Sequence, residues 1–172
     1  MKKYINSKKN NKGFSSDVIL YIIGIPLVIG YFLWPIYKEK AAEPKFQALK
    51  ELTQKVASSV NTYNLTHGTY PNKMSELNTD LHIAHEKNID QNILVEFSDN
   101  ILCMISKKYG EVSCTQKILG EKIGLVANVQ NLSMQCATFT KNTNNFTNRL
   151  CRKEAENDTP ICSSTECMYK LK

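Results

Sequence analysis

The chain has 172 residues, 22 Lys and Arg against 16 Asp and Glu, and six cysteines. Lys2, Lys3, Lys8, Lys9 and Lys12 precede Gly13 with no acidic residue among them, so +5 of the formal +6 belongs to this leader. A near-neutral remainder argues against a nucleic-acid-binding domain, which needs a basic face of its own, and its length admits one modest domain rather than two.

After the leader, Val18 to Tyr37 holds no charged residue. Such a run is about 20 residues, the length a helix needs to cross a ~30 Å hydrocarbon core. Lysines flanking a span stay cytoplasmic, which puts the amino end inside and the rest of the chain outside. The run is longer than the apolar core of a secretory signal, and Lys38-Glu39-Lys40 follows it instead of a small-x-small cleavage site. A retained anchor is the expectation. Pro26 and Pro35 lie inside the run and each removes a helical hydrogen bond, as membrane helices tolerate when neighbours re-satisfy the carbonyls. Gly24 and Gly30 are too far apart for the G-x-x-x-G packing motif.

Beyond Pro44, Phe46, Leu49, Leu52, Val56, Val60 and Tyr63 recur at spacings of three and four, the mark of one buried helical face. Lys50, Glu51, Gln54, Lys55 and Ser58 fill the other side, and Gly68 stops the helix. Joined to the span, this predicts one helix of about 50 residues, or ~75 Å. Tyr70 to Asp90 reads as loop with a helical turn around 73–77. Strands are then expected at Ile93–Phe97, Ile101–Ser106 and Val112–Thr115, separated by turn chemistry at Ser98-Asp99-Asn100 and Lys108-Tyr109-Gly110. Lys117 to Val129 stays ambiguous because Gly120 and Gly124 interrupt a helical pattern. Ser133–Phe139 is a further candidate strand, Asn142–Asn148 a surface loop, and the tail a disulfide-pinned loop.

The cysteines, Cys103, Cys114, Cys136, Cys151, Cys162 and Cys167, all follow the apolar run. An even number in a small exported domain points to disulfides. Cys103 and Cys114 straddle one turn nearly symmetrically, so a cross-strand bridge is reasonable. Cys136–Cys151 and Cys162–Cys167 are the working assignment for the rest. No metal site, cofactor or catalytic site is expected. There is no C-x-x-C, no H-E-x-x-H, no G-x-S-x-G and no phosphate loop. His67 fits a helix end. His82 and His85 could share a helical face but lack further donors. Sequons at Asn64, Asn131, Asn145 and Asn157 are weak signals in so asparagine-rich a chain.

Lys12-Gly13-Phe14 ahead of an apolar helix resembles the amino end of type IV pilins and pseudopilins. Pro35-Ile36-Tyr37 falls where that family carries a proline and tyrosine. Gly68-Thr69-Tyr70-Pro71, with Met74 and Glu76-Leu77, resembles the G-x-Y-P stretch that follows the family's long helix. The likeness covers residues 12–77. It implies cleavage after Gly13 by a prepilin peptidase, N-methylation of Phe14, and assembly with other pilin subunits through the 14–37 helix and an assembly platform in the inner membrane. The family's glutamate, four residues after the new amino end, is replaced by Val18. Asp17 is the nearest carboxylate, set about 100° round the helix; it either pairs with a neighbour's amine or caps the helix with Ser15 and Ser16.

The expected fold is α+β. A long amino-terminal helix spans the membrane with its first half and packs its second half, 38–67, on a small antiparallel sheet of about four strands within a 68–172 head. The expected function is that of a pilus or type II secretion-like filament subunit, not an enzyme. It would sit as a single-pass inner-membrane protein before assembly, then in a pilus, the periplasm or the cell surface. The alternative is an uncleaved, signal-anchored protein with a cysteine-rich binding domain outside.

Overall fold

The computed structural model describes residues 20–77, 80–140, 142, 145–157 and 159–172. Gly13, Phe14 and Asp17 lie outside the described residues. The chain divides into two compact units, Met1–Tyr37 and Lys38–Lys172.

In the first unit a π-helical turn, Leu20–Gly24, leads into helix α1, Ile25–His67, which runs on into the second unit. Pro26 and Pro35 are accommodated inside these helical turns. No described side chain of this unit is buried.

In the second unit α1 changes character. Ala42, Phe46, Leu49, Val56, Ala57 and Val60 are buried to within 1%, and Leu52 and Tyr63 pack at the margin. The expected stripe is therefore the buried face, widened by Ala42, Thr53 and Ala57. Thr53 satisfies its hydroxyl within the helix by donating to Leu49 O at 2.7 Å. The helix ends at His67, where Gly68 takes a φ of 69° and donates its N–H to Asn64 O. A side chain at this left-handed position would be strained.

The stripe packs on one antiparallel sheet of eight strands: β1 Ile83–Ile89, β2 Asn92–Phe97, β3 Ile101–Ser106, β4 Glu111–Ile118, β5 Glu121–Asn128, β6 Met134–Thr138, β7 Ile161–Cys162 and β8 Cys167–Lys170. Their spatial order is β1-β2-β3-β4-β5-β6-β8-β7. Alternate residues face the core: Ile93, Val95 and Phe97; Ile101, Cys103 and Ile105; Val112, Cys114 and Ile118; Ile123, Leu125 and Ala127. A second helix, α2 Phe146–Glu154, packs by β6 and β8. The architecture is α+β, with a long helix, an antiparallel sheet and three disulfides.

Three expectations need correction, and one stretch left open is now assigned. The sheet has eight strands, not four. Ile83–Ile89, read as loop, is an edge strand. Its side chains are exposed on both faces apart from half-buried Glu86, so no hydrophobic alternation announced it, and pairing with β2 holds it. His85 lies on this strand, so His82 and His85 share no helical face. The ambiguous Lys117–Val129 stretch is the β4–β5 hairpin: Ile118 pairs Glu121 across a two-residue turn in which Leu119 and Gly120 both take positive φ, the geometry that matches strand twist. Finally, the asparagine-rich loop stops at Asn145, whose side chain caps α2 by accepting from Thr147 N–H at 3.3 Å. The tail beyond is that helix plus a short hairpin, not a loop alone.

Candidate functional site

The family resemblance singles out three places: the leader junction, the apolar helix and the turn after it. The junction lies outside the described residues. In the apolar part of α1 the exposed side chains are large. Tyr31 is 79% exposed, Phe32 68%, Trp34 59% and Tyr37 67%. Trp34 stacks on Tyr37 with ring centroids 6.3 Å apart, and Tyr31 meets Phe32 edge-on at 5.8 Å. Aromatic rings gathered at the end of an apolar run suit the boundary between hydrocarbon and water. Among the described residues, one helix is long and apolar enough to cross a membrane.

The turn after α1 is tied down on both sides. Glu76 accepts the Asn72 N–H at 2.9 Å and takes the Tyr63 hydroxyl as well, which raises the Tyr63 pKa; these donors lower that of Glu76. Tyr63 also stacks on His67, centroids 4.2 Å apart. Pro71, Met74 and Leu77 turn inward and are buried. The Gly68–Leu77 segment is thus a plug that closes the sheet's end over α1.

A charged clasp joins α1 to α2. Arg149 and Lys153 sit four apart on α2 and so face the same way. The Arg149 Nε donates to Glu39 Oε2 at 2.9 Å and Lys153 Nζ to Glu39 Oε1 at 2.7 Å. At the next residue of α2, Glu154 receives Lys50 Nζ, and Gln47 Nε2 at 3.1 Å. The Lys153 hydrogen bond holds the Glu39 carboxyl below its ordinary value of 4.5, and the Lys50 bond does the same for Glu154. A carboxylate with a depressed folded-state pKa adds stability above its unfolded value and loses it as pH falls through the folded one. The thermal midpoint of the full chain should therefore decline as pH drops below about 4.5, and less steeply in Glu39→Gln. An identical acid limb in wild type and variant would remove Glu39 from that role. Since these groups are only part-buried, the expected effect is modest.

Beneath the clasp, Asn148 is fully buried and organises α2 against the sheet. Its Oδ1 accepts the hydroxyls of Thr138 at 2.6 Å and Tyr169 at 3.0 Å. Its Nδ2 donates to Thr140 O at 3.2 Å and Asn142 O at 2.8 Å. One asparagine thereby ties β6, β8 and the segment that enters α2. This residue stood at the edge of an expected surface loop, and nothing in its local pattern marks it as a core group.

All six cysteines are paired: Cys103–Cys114, Cys136–Cys151 and Cys162–Cys167. The first two bridges are wholly buried, the last has Cys162 in solvent. Thiol exchange requires access to a sulfur. Brief treatment of the native chain with a small thiol, followed by alkylation and peptide mapping, should label Cys162 and Cys167 well before the other four. Simultaneous labelling of all six would show global opening instead. Among the described residues, no group of three or more His, Cys, Asp or Glu is gathered to hold a metal.

No protein-family model matches the chain, and neither a curated protein nor a solved structure matches it. The geometry therefore stands alone. It offers a helix with an uncovered apolar surface and a disulfide-bonded sheet domain built on that helix's second part.

Proposed function

We propose that the chain is a subunit of a type IV pilus-like or type II secretion-like filament. The observation that supports this reading most is the double character of α1. Up to Tyr37 its described side chains are uncovered and uncharged; from Ala42 onward the same helix is the spine of a core. Contiguous apolar surface of this extent calls for lipid or for other apolar helices. A subunit that waits in a bilayer and then bundles with its neighbours meets both demands with one segment. In this reading a prepilin peptidase cuts after Gly13, Phe14 becomes the N-methylated amino end, and Asp17 and Pro35 serve assembly. Other pilin subunits, the peptidase and the inner-membrane assembly platform are the partners. The plugged Gly68–Leu77 turn supports the reading as well, since the residues of the G-x-Y-P likeness are those that seal the sheet against α1.

The test is the amino end of the protein purified from its own cells. Mass spectrometry should find a chain starting at methylated Phe14, absent when Gly13 is changed to Leu. A chain that keeps Met1 or Lys2 and remains a monomer in the membrane overturns the proposal in favour of a signal-anchored protein with an external binding domain.

A further inference from the structure

Both helices of the Lys38–Lys172 unit lie on one face of the sheet, α1 through its buried stripe and α2 through the Cys136–Cys151 bridge. Among the described residues, no helix covers the opposite face. An antiparallel sheet with one solvated face ordinarily reads polar on that face. This one does not. Cross-strand register lines up Leu94, Met104, Ser113 and Val126 from β2 to β5. Beside them run Leu102, Thr115, Gly124 and Ala137 from β3 to β6. Neither row holds a charge. Leu102 and Met104 are each 41% exposed, and Phe139, laid over Gly124, is 43% exposed. Folding leaves this apolar strip in water, and such a strip marks a contact surface.

The charges around the strip indicate what it meets. They are of both signs and sit at opposite borders. On β4 the outward positions run Glu111, Ser113, Thr115, Lys117. Glu111 and Lys117 are exposed and form no ion pair among the described residues. Consider a second copy related by a half-turn about an axis that lies in the interface and crosses β4 at Cys114. Lys117 then stands over Glu111 of the second copy, and Glu111 over its Lys117. Thr115 meets Ser113, and Leu102 of β3 meets Met104. Glu96 of β2 comes beside Lys87 of the second copy. Each contact occurs twice, as in any isologous pair. A partner surface of one sign, such as anionic lipid, would set Glu96 and Glu111 against like charge.

The dimensions allow it. Packed sheets lie about 10 Å apart with their strands within about 30° of each other. Lys117 is three residues, about 10 Å, from the axis. That rotation shifts it sideways by about 5 Å, within reach of its side chain. Six strands over seven residues give a footprint of about 700 Å², close to the roughly 800 Å² per partner of a standard interface. We propose that the outer sheet face is a homodimer surface, on which a second copy of this chain packs sheet to sheet with its strands reversed. The surface does not depend on the filament reading, since it lies wholly in the Lys38–Lys172 unit and needs no processing.

The experiment uses the full chain in density-matched detergent. Sedimentation over a range of concentrations should show a reversible dimer. A zero-length carbodiimide, which joins a lysine to a carboxylate in contact with it, should yield a peptide linking Lys117 to Glu111. Within one copy these residues lie about 20 Å apart along β4, so that product can only bridge two copies. Met104→Lys changes an exposed position, so the thermal midpoint should hold while the dimer weakens about tenfold or more. Glu111→Lys and Lys117→Glu should each weaken it about fivefold, and the exchange of both should restore wild-type affinity. A chain that stays monomeric overturns the proposal and leaves the face to a different protein or to lipid. A dimer that lacks the link, or that survives Met104→Lys, is association through the apolar helix and overturns it as well. So does an exchange variant that stays as weak as the single changes.

Discussion

Asn148→Ala should cost the fold about 3–5 kcal/mol, more than any surface change. Truncation takes away one acceptor used by two buried hydroxyls, Thr138 and Tyr169, and one donor group used by two carbonyls, Thr140 and Asn142. Each buried group left unsatisfied costs about 1–3 kcal/mol. The total stays below the sum because Thr138 keeps a long contact to Cys167 O at 3.4 Å and because the Thr140 end is not sealed from water. Denaturant unfolding of the full chain, followed by near-ultraviolet circular dichroism, measures it. A loss under about 1 kcal/mol would mean that water takes over all four bonds and that the network is not a keystone.

The second large effect is expected from removing the Cys136–Cys151 bridge. It closes a loop with a sequence separation of 15, for which the chain-entropy account gives about 3 kcal/mol. Both sulfurs belong to fully buried residues, so replacement by alanine also leaves space unfilled. The double Cys136→Ala/Cys151→Ala variant should unfold at clearly lower denaturant than wild type. Combined with Asn148→Ala, the losses should not add. Asn148 and Cys151 lie three apart on α2 and both anchor it to β6, so once one anchor fails the other has less to hold. Additive losses would show that the two work independently.

The long helix could be read from the chain because its periodicity is strong. Phe46, Leu49, Val56 and Val60 are spaced for one face, and that face is buried. Strand β3 was legible to the residue, since Ile101–Ser106 alternates between core and solvent. Other elements are set by forces that leave no local mark. Strand β1 gains its order from backbone pairing with β2 and from the Met74 N–H that Glu86 accepts. The β4–β5 hairpin hides behind Gly120, which makes a turn, and Gly124, which lies under the Phe139 ring; both read as helix breakers. Helix α2 begins in asparagine and threonine, and only tertiary contacts make Thr147 and Asn148 interior residues. The clasp was beyond reach for the same reason, since Glu39 and Arg149 stand 110 positions apart. The leader junction, by contrast, is readable only as a motif, and its residues lie outside the described part of the fold.

The order of the bridges along the chain has a consequence for biogenesis. Every cysteine is bonded to the next one in sequence, first with second, third with fourth, fifth with sixth. In the proposed topology the amino end stays inside and the Lys38–Lys172 unit crosses from its Lys38 side into an oxidising compartment, so that each partner would be presented before the following pair had arrived. Correct connectivity then comes from timing as much as from energy, and such a protein should reach its native bridges during translocation without a shuffling catalyst.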